Sequence, residues 1–284
     1  MKSERLSEAA IAAFHHSYSE LVSGATGMIK ESEIVPVASL PSLEIDIHGK
    51  VAVDPLLLQK TVVLKLNGGL GTSMGLDKAK SLLEVKGGNT FLDLTAKQVV
   101  SMRKNFKTKV HFMLMNSFNT SKDTLNFLAK YPSLVDDPKI ELMQNKVPKV
   151  DKSTLGPVVW TPNPHLEWCP PGHGDLYTAL YGSGKLDELL AEGIIYMFVS
   201  NSDNLGATLD IGEIKETSVH IIKFIITMPV LNCRVAIVLR IQWCTLLDGV
   251  LRAYRGRQEG WTPCLARCRL PARVARVCSV LKGG

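Results

Sequence analysis

The sequence predicts an α/β protein whose core, residues 61–212, is a Rossmann-like, mostly parallel sheet with helices on both faces. Three observations predict it. Thr61–Leu66 (TVVLKL) is a short β-branched apolar run ending at glycines, as a buried strand does. Runs of strand character then alternate with runs of helical spacing. Finally, Ile194–Ser200 (IIYMFVS) is the most strand-like stretch of the chain.

In order, residues 5–30 carry apolar side chains at loose helical spacing (Leu6, Ala9, Ala10, Ala13, Phe14, Tyr18, Leu21), which predicts an amphipathic N-terminal helix. Residues 34–60 hold Pro36, Pro41 and Pro55 between short apolar runs and read as an extended connector with little regular structure. After the first strand come a helix over Phe91–Asn105, a strand over Val110–Met115 and a helix over Ser117–Lys130. A strand over Ile140–Gln144 follows, then a helix over Gly174–Tyr181. Gly182-Ser183-Gly184 interrupts that helix and Leu186–Glu192 resumes it. Three segments result: 1–60 helical and extended, 61–212 the core, and 213–284.

The last segment differs in kind. Residues 1–212 hold 19 Lys and 2 Arg against 23 acidic residues, a net −2, whereas 213–284 hold 3 Lys and 9 Arg against 4, a net +8. The formal +6 of the chain therefore belongs to the tail, and without basic clusters interleaved with aromatics the core does not read as nucleic-acid-binding. Cys169 is alone in the first 212 residues, which suits a reducing compartment. Cys233, Cys244, Cys264, Cys268 and Cys278 crowd the tail without a metal-binding pattern. The start, MKSERLSEAA, lacks a signal peptide's apolar core. The apolar stretch Val219–Leu239 is broken by Lys223, Pro229, Asn232 and Arg234, too often for a membrane span. A soluble, cytoplasmic protein is expected.

The chemistry gathers at the loop Leu66-Asn67-Gly68-Gly69-Leu70-Gly71-Thr72-Ser73-Met74-Gly75. Glycines after a buried strand let the backbone bend and bring N–H groups to phosphate oxygens. No Lys-Ser or Lys-Thr follows at P-loop spacing, and Met74 stands where the dinucleotide fingerprint needs its third glycine, so both familiar loops are excluded. Lys80, nine residues past Gly71, can bring its ammonium to a phosphate; Lys78 reads as solvated surface.

LNGGLGTSMGLDKAKSLLEV at 66–85 resembles the signature of eukaryotic-type UTP–glucose-1-phosphate uridylyltransferases (UDP-glucose pyrophosphorylases). LMQNKVPK at 142–149, PPGHGDLY at 170–177 and FVSNSDNLGATLD at 198–210 match the same family in the same order, and Ala79 before Lys80 gives the loop a kinetoplastid look. The resemblance implies that Leu66, Asn67, Gly68 and Gly69 cradle the nucleotide, Lys80 contacts the phosphates and serves catalysis, and Gln144 reads the uracil edge. It implies that Gly172 and His173 complete the uracil pocket and approach the sugar phosphate, and that Asn201, Ser202 and Asp203 bind substrate. Asp203, with phosphates near Lys80, would hold Mg²⁺. The implied reactants are UTP and glucose 1-phosphate, and the products UDP-glucose and pyrophosphate. Asp175 reads as a helix N-terminal residue with a structural role.

The resemblance stops near Asp210. Family members continue for two to three hundred residues that finish the sugar site, add a second phosphate-binding lysine and form a C-terminal β-helix; residues 213–284 show none of these. Their abrupt change in Arg, Lys and Cys usage is what an out-of-frame reading of a GC-rich gene gives, so they are expected to be disordered or frameshifted, with an alternative domain as the rival. Two alternatives to the uridylyltransferase reading follow: a non-catalytic UTP-binding fragment, and a sibling enzyme acting on an N-acetylhexosamine 1-phosphate.

Overall fold

The computed structural model describes residues 1–29, 31–36, 54–71 and 75–211, and the backbone of 237–240. An N-terminal helix, α1 (Glu8–Val22), is capped by the Ser7 hydroxyl, which accepts from the Ala10 N–H at 3.2 Å. The proline-bearing connector is not wholly irregular: Asp54 and Pro55 open a single turn, α2 (Leu56–Gln59), that drops the buried Leu58 into the core. The rest of that connector, residues 37–53, lies outside the described residues.

Next come β1 (Thr61–Asn67), a small hairpin of β2 (Glu84–Lys86) and β3 (Asn89–Thr90), and α3 (Phe91–Phe106). Thr90 and Asp93 form a reciprocal capping box at the start of α3. Then follow β4 (His111–Asn116), α4 (Ser121–Leu128), α5 (Pro132–Val135) and β5 (Glu141–Met143). A second hairpin pairs β6 (Val147–Pro148) with β7 (Trp168–Cys169), and α6 (Leu176–Gly182) and α7 (Lys185–Ala191) lead to β8 (Tyr196–Asn201) and β9 (Ile237–Arg240).

The expected helix over 117–130 begins only at Ser121. Ser117 and Thr120 instead close a turn in which the Thr120 hydroxyl accepts from the Ser117 N–H at 3.0 Å, an alternative to helical bonding that hydroxyl side chains favour.

The main sheet runs β5-β4-β1-β8-β9, parallel throughout except that β9 lies antiparallel to β8. β9 falls in the segment expected not to fold with the core; the remainder of 212–284 lies outside the described residues. Successive residues of a strand face opposite sides, and the core divides accordingly. Val63, Phe112, Leu114 and Phe198 pack with Leu92, Ala96 and Val99 of α3 and with Leu128 and Leu134. Val62, Leu64, Met113, Met115 and Val199 pack with Leu176, Leu180, Leu186 and Leu189 of α6 and α7. Helices thus cover both faces, which is why the strands read as continuous apolar runs. Among the described residues no helix is long and apolar enough to cross a membrane.

β1 leads through α3 to β4 and β5 on one side, and the chain then returns to place β8 on the other side of β1. The C-terminal ends of β1 and β8 flank this reversal of strand order, where open α/β sheets leave a crevice for ligands.

Candidate functional site

At the end of β1 the chain turns through Gly68 and Gly69. A Cβ on Gly68 would lie 2.3 Å from Gln144 Oε1, so this glycine is required by the protein's own packing. A Cβ on Gly69 would meet nothing within 4 Å, and Gly69 is exposed. The backbone here is bare toward open space, as a loop that receives phosphates must be. The Gly68 carbonyl accepts from the Ser117 hydroxyl at 2.8 Å, and the Gly69 carbonyl accepts from the Lys80 N–H at 3.2 Å. The loop is therefore tied to β4's end on one side and to the lysine's 3-10 turn, Lys80–Leu82, on the other. Residues 72–74 of the predicted loop lie outside the described residues.

Asn67 carries its side chain away from this opening. Its amide donates to Asn116 Oδ1 at 2.7 Å and Thr124 Oγ1 at 3.0 Å, and Asn116 donates in turn to Glu141 at 2.7 Å. This buried ladder joins β1, β4 and β5, so in the expected cradle Asn67 contributes backbone only. The Leu66 carbonyl likewise is taken, accepting from the Ser202 N–H at 3.0 Å. That bond sets the Asn201–Asp203 turn beside the glycine loop.

Gln144, at the end of β5, is 4% exposed. Its amide donates to the Gly172 carbonyl at 2.5 Å, and its backbone N–H donates to the Asn116 carbonyl at 2.7 Å. Gly172 has φ +106°, a conformation that side-chain-bearing residues avoid. The following His173 is exposed as a residue, yet the protein around its ring removes enough water to lower its pKa from 6.5, against the opposing pull of Asp203. At neutral pH it is therefore a neutral imidazole, able to donate and accept hydrogen bonds.

Across the opening, Lys80 Nζ and Asp203 Oδ2 form an ion pair at 2.7 Å with both side chains partly exposed. Lys78 is exposed. Asn201 is exposed and Ser202 buried. The structure thus brings together Gly68, Gly69, Lys80, Gln144, Gly172, His173 and Asn201–Asp203, while the Asn67 side chain turns away and the Leu66 side chain packs against the apolar core. No cluster of three or more His, Cys, Asp or Glu capable of holding a metal occurs among the described residues.

Two contributors went unread in the sequence. Lys65, in the middle of β1, is 2% exposed; its ammonium donates to Ser200 Oγ at 2.7 Å and the Ala207 carbonyl at 3.1 Å. Those acceptors bracket the segment that carries Asn201, Ser202 and Asp203. Burial lowers the Lys65 pKa to about 8. A lone lysine within an otherwise apolar strand was the available signal. The other is the Asn145–Asp175 contact, 2.6 Å from the Asn145 N–H to the Asp175 carboxylate, which joins the two segments around Gln144 and Gly172.

Comparison with known proteins points to one family. The family model described as UTP–glucose-1-phosphate uridylyltransferase matches residues 11–229, past the Asp210 at which the recognised motifs stop. The chain is 48% identical over 158 residues to the UTP–glucose-1-phosphate uridylyltransferase of Saccharomyces cerevisiae, covering 54% of this chain and 31% of that protein. It is equally similar to the probable enzyme of that name from Schizosaccharomyces pombe, covering 54% and 30%. Among solved structures it resembles the UDP-glucose pyrophosphorylase of Leishmania major in complex with UDP-glucose, with TM-score 0.71 and 52% identity over 77% of this chain and 45% of that one. A Trypanosoma brucei structure gives TM-score 0.72 at 51% identity, covering 77% and 47%. The chain spans about a third of the length of the curated relatives and under half that of the solved ones. With the match extending over most of its residues, the chain belongs to the UTP–glucose-1-phosphate uridylyltransferase family.

Proposed function

We propose that the chain forms the nucleotide-binding part of a UTP:glucose-1-phosphate uridylyltransferase, which makes UDP-glucose and pyrophosphate from UTP and glucose 1-phosphate. The observation that carries this reading is the pairing, at one sheet edge, of a buried amide held against glycine backbone with a partly exposed Lys80–Asp203 pair. An amide both donates and accepts, matching the adjacent acceptor and donor on uracil. Gln144 would read that edge while Gly172, where a Cβ would meet nothing within 4 Å, leaves room for a flat base. The open side of Gly69 would receive the phosphates.

Lys80 and Asp203 neutralise each other, and so exposed a pair contributes at most about 1 kcal/mol. A triphosphate with its metal gives each a better partner: Lys80 the phosphate oxygens, Asp203 a cation. The donor set fits magnesium, which takes one or two carboxylates and completes its shell with phosphates and waters. When bound, magnesium would offset triphosphate charge. His173, Asn201 and Ser202 would approach the sugar phosphate. In the reaction a phosphate oxygen of glucose 1-phosphate attacks the α-phosphorus of UTP, and the bond to the bridging oxygen breaks. Pyrophosphate departs with that electron pair. Lys80 stabilises the charge shared between the incoming and departing oxygens, and no covalent enzyme intermediate is needed.

The test is pyrophosphate release from each of the four nucleoside triphosphates with glucose 1-phosphate or N-acetylglucosamine 1-phosphate. Turnover confined to UTP with glucose 1-phosphate, abolished by EDTA and restored by magnesium, is expected. UTP binding without turnover would support the non-catalytic alternative, and preference for the N-acetylated sugar the sibling enzyme.

A further inference from the structure

We infer that Asp175 is a positioning residue that sets nucleobase selectivity by holding Gln144 in register with Gly172. This rests on Gln144 reading the base, as proposed above.

Four bonds close a ring. Gln144 donates its side-chain amide to the Gly172 carbonyl at 2.5 Å. The same carbonyl accepts from the Asp175 N–H at 3.2 Å. The Asp175 carboxylate then accepts from the Asn145 N–H at 2.6 Å and from the Asn145 side-chain amide at 2.9 Å. Asn145 follows Gln144 in the chain, so the path returns to its start. Neither the 144–145 segment nor the 172–175 turn can shift without breaking a member of this ring.

The chemistry of the acid supports a dedicated role. Asp175 occupies the N-cap position of α6, yet its carboxylate makes no capping bond to the helix backbone. It reaches sideways to Asn145 instead and takes a further bond from the Thr178 hydroxyl. Its hydrogen-bond partners are neutral donors, and it is 8% exposed. Burial raises its pKa against the pull of these bonds. A buried acid is costly unless its oxygens are satisfied, and helix capping alone would be served by Ser or Thr at less cost. Only a carboxylate offers acceptors alone. An amide in its place would turn an N–H toward the Asn145 donors.

The experiment is equilibrium binding of UTP, CTP and inorganic tripolyphosphate to the 284-residue chain, for the wild type, Asp175→Asn, Asn145→Ala, Gln144→Ala and the double variant Asp175→Asn/Gln144→Ala. In the wild type UTP should bind at least about tenfold more tightly than CTP, since cytosine presents its donor and acceptor in the reverse order and the Gln144 amide, held by the Gly172 carbonyl, is not free to turn over. Asp175→Asn should reduce that ratio to within about threefold while leaving tripolyphosphate affinity unchanged. Asn145→Ala, which keeps the buried acid and one of its two Asn145 bonds, should shift the ratio in the same direction by less. Because Asp175 acts through Gln144, the double variant should lose no more selectivity than Gln144→Ala alone.

A retained UTP/CTP ratio in Asp175→Asn, additive losses in the double variant, or parallel loss of tripolyphosphate binding would each overturn the inference. Should Asp175→Asn fail to fold, an unchanged ratio in Asn145→Ala overturns it equally. A wild type without UTP preference would instead overturn the base-reading role of Gln144, and this inference with it.

Discussion

The two sides of the cleft are built on opposite plans. On the base side Gln144 and Asp175 are buried, and a ring of short hydrogen bonds to Gly172 and Asn145 closes on itself. On the phosphate side Lys80 and Asp203 are partly exposed and meet in one ion pair, beside a glycine with open space above it. On the proposed reaction the difference has a physical reason. The base is the same before and after transfer, so its contacts can be fixed in advance. Charge at the phosphates moves during the reaction, so the groups there must exchange partners, and a weak surface pair gives way readily.

The largest effect should come from beneath the phosphate side. Folded Lys65 loses its proton near pH 8, against an ordinary 10.5. Between those values the unfolded chain holds more protons than the folded one, so stability should rise with pH across the window; the penalty is fully present below pH 8. Relative to Lys65→Met, wild-type unfolding free energy should gain about 3 kcal/mol from pH 8 to 10.5, measured by denaturant titration. A flat difference would mean that Ser200 and Ala207 hold the ammonium's proton at its ordinary affinity.

Next, in a full-length relative carrying this same front half, Lys80→Ala should lower turnover about a hundredfold, roughly 2.7 kcal/mol, with a much smaller change in UTP affinity. Lys78→Ala, at an exposed position, should change either quantity by less than about threefold. Equal losses in the two variants, or a Lys80→Ala effect confined to the Michaelis constant for UTP, would make Lys80 a binding residue and erase the contrast between the two sides.

The two loop glycines give the smallest and most local test. Gly69→Ala should leave the unfolding midpoint within about a degree of wild type yet weaken tripolyphosphate binding about tenfold, because its Cβ enters empty space that phosphates would occupy. Gly68→Ala should do the reverse. Its Cβ must displace a held Gln144 amide, so stability should fall by about 1–3 kcal/mol and UTP preference over CTP should narrow, with tripolyphosphate binding little changed. Indistinguishable profiles would show that the loop moves as one piece.

Much of this architecture was legible in the residues. TVVLKL and IIYMFVS became β1 and β8, and Phe91–Asn105 became α3, because buried strands and amphipathic helices announce themselves by local pattern. Other features depend on partners distant in sequence. The register of β9 against β8 follows from a pairing that no local period encodes. The turn at Ser117–Thr120 shows hydroxyls competing with helical bonding, and the helical turn after Pro55 shows packing of Leu58 overriding a breaker-rich segment. At the site, glycines and motif residues were readable, but directions were not. Asn67 and Gln144 are both amides at strand ends, and only the fold turns one into a ladder between strands and the other toward Gly172.

The N-terminal helix has a consequence for synthesis. Glu4 is ion-paired with Lys146, 142 residues away, the Tyr18 hydroxyl donates to the Leu155 carbonyl across 137, and Gly182 stands where any side chain would strike Ser7. Every one of these anchors is made long after α1 has left the ribosome. α1 emerges well before these partners and is thus among the last elements to dock, so it must wait as an undocked amphipathic helix until the sheet is nearly complete. Contacts of such long range form slowly, so a pause in translation before residue 182 would lengthen the interval in which α1 is open to protease or to a chaperone.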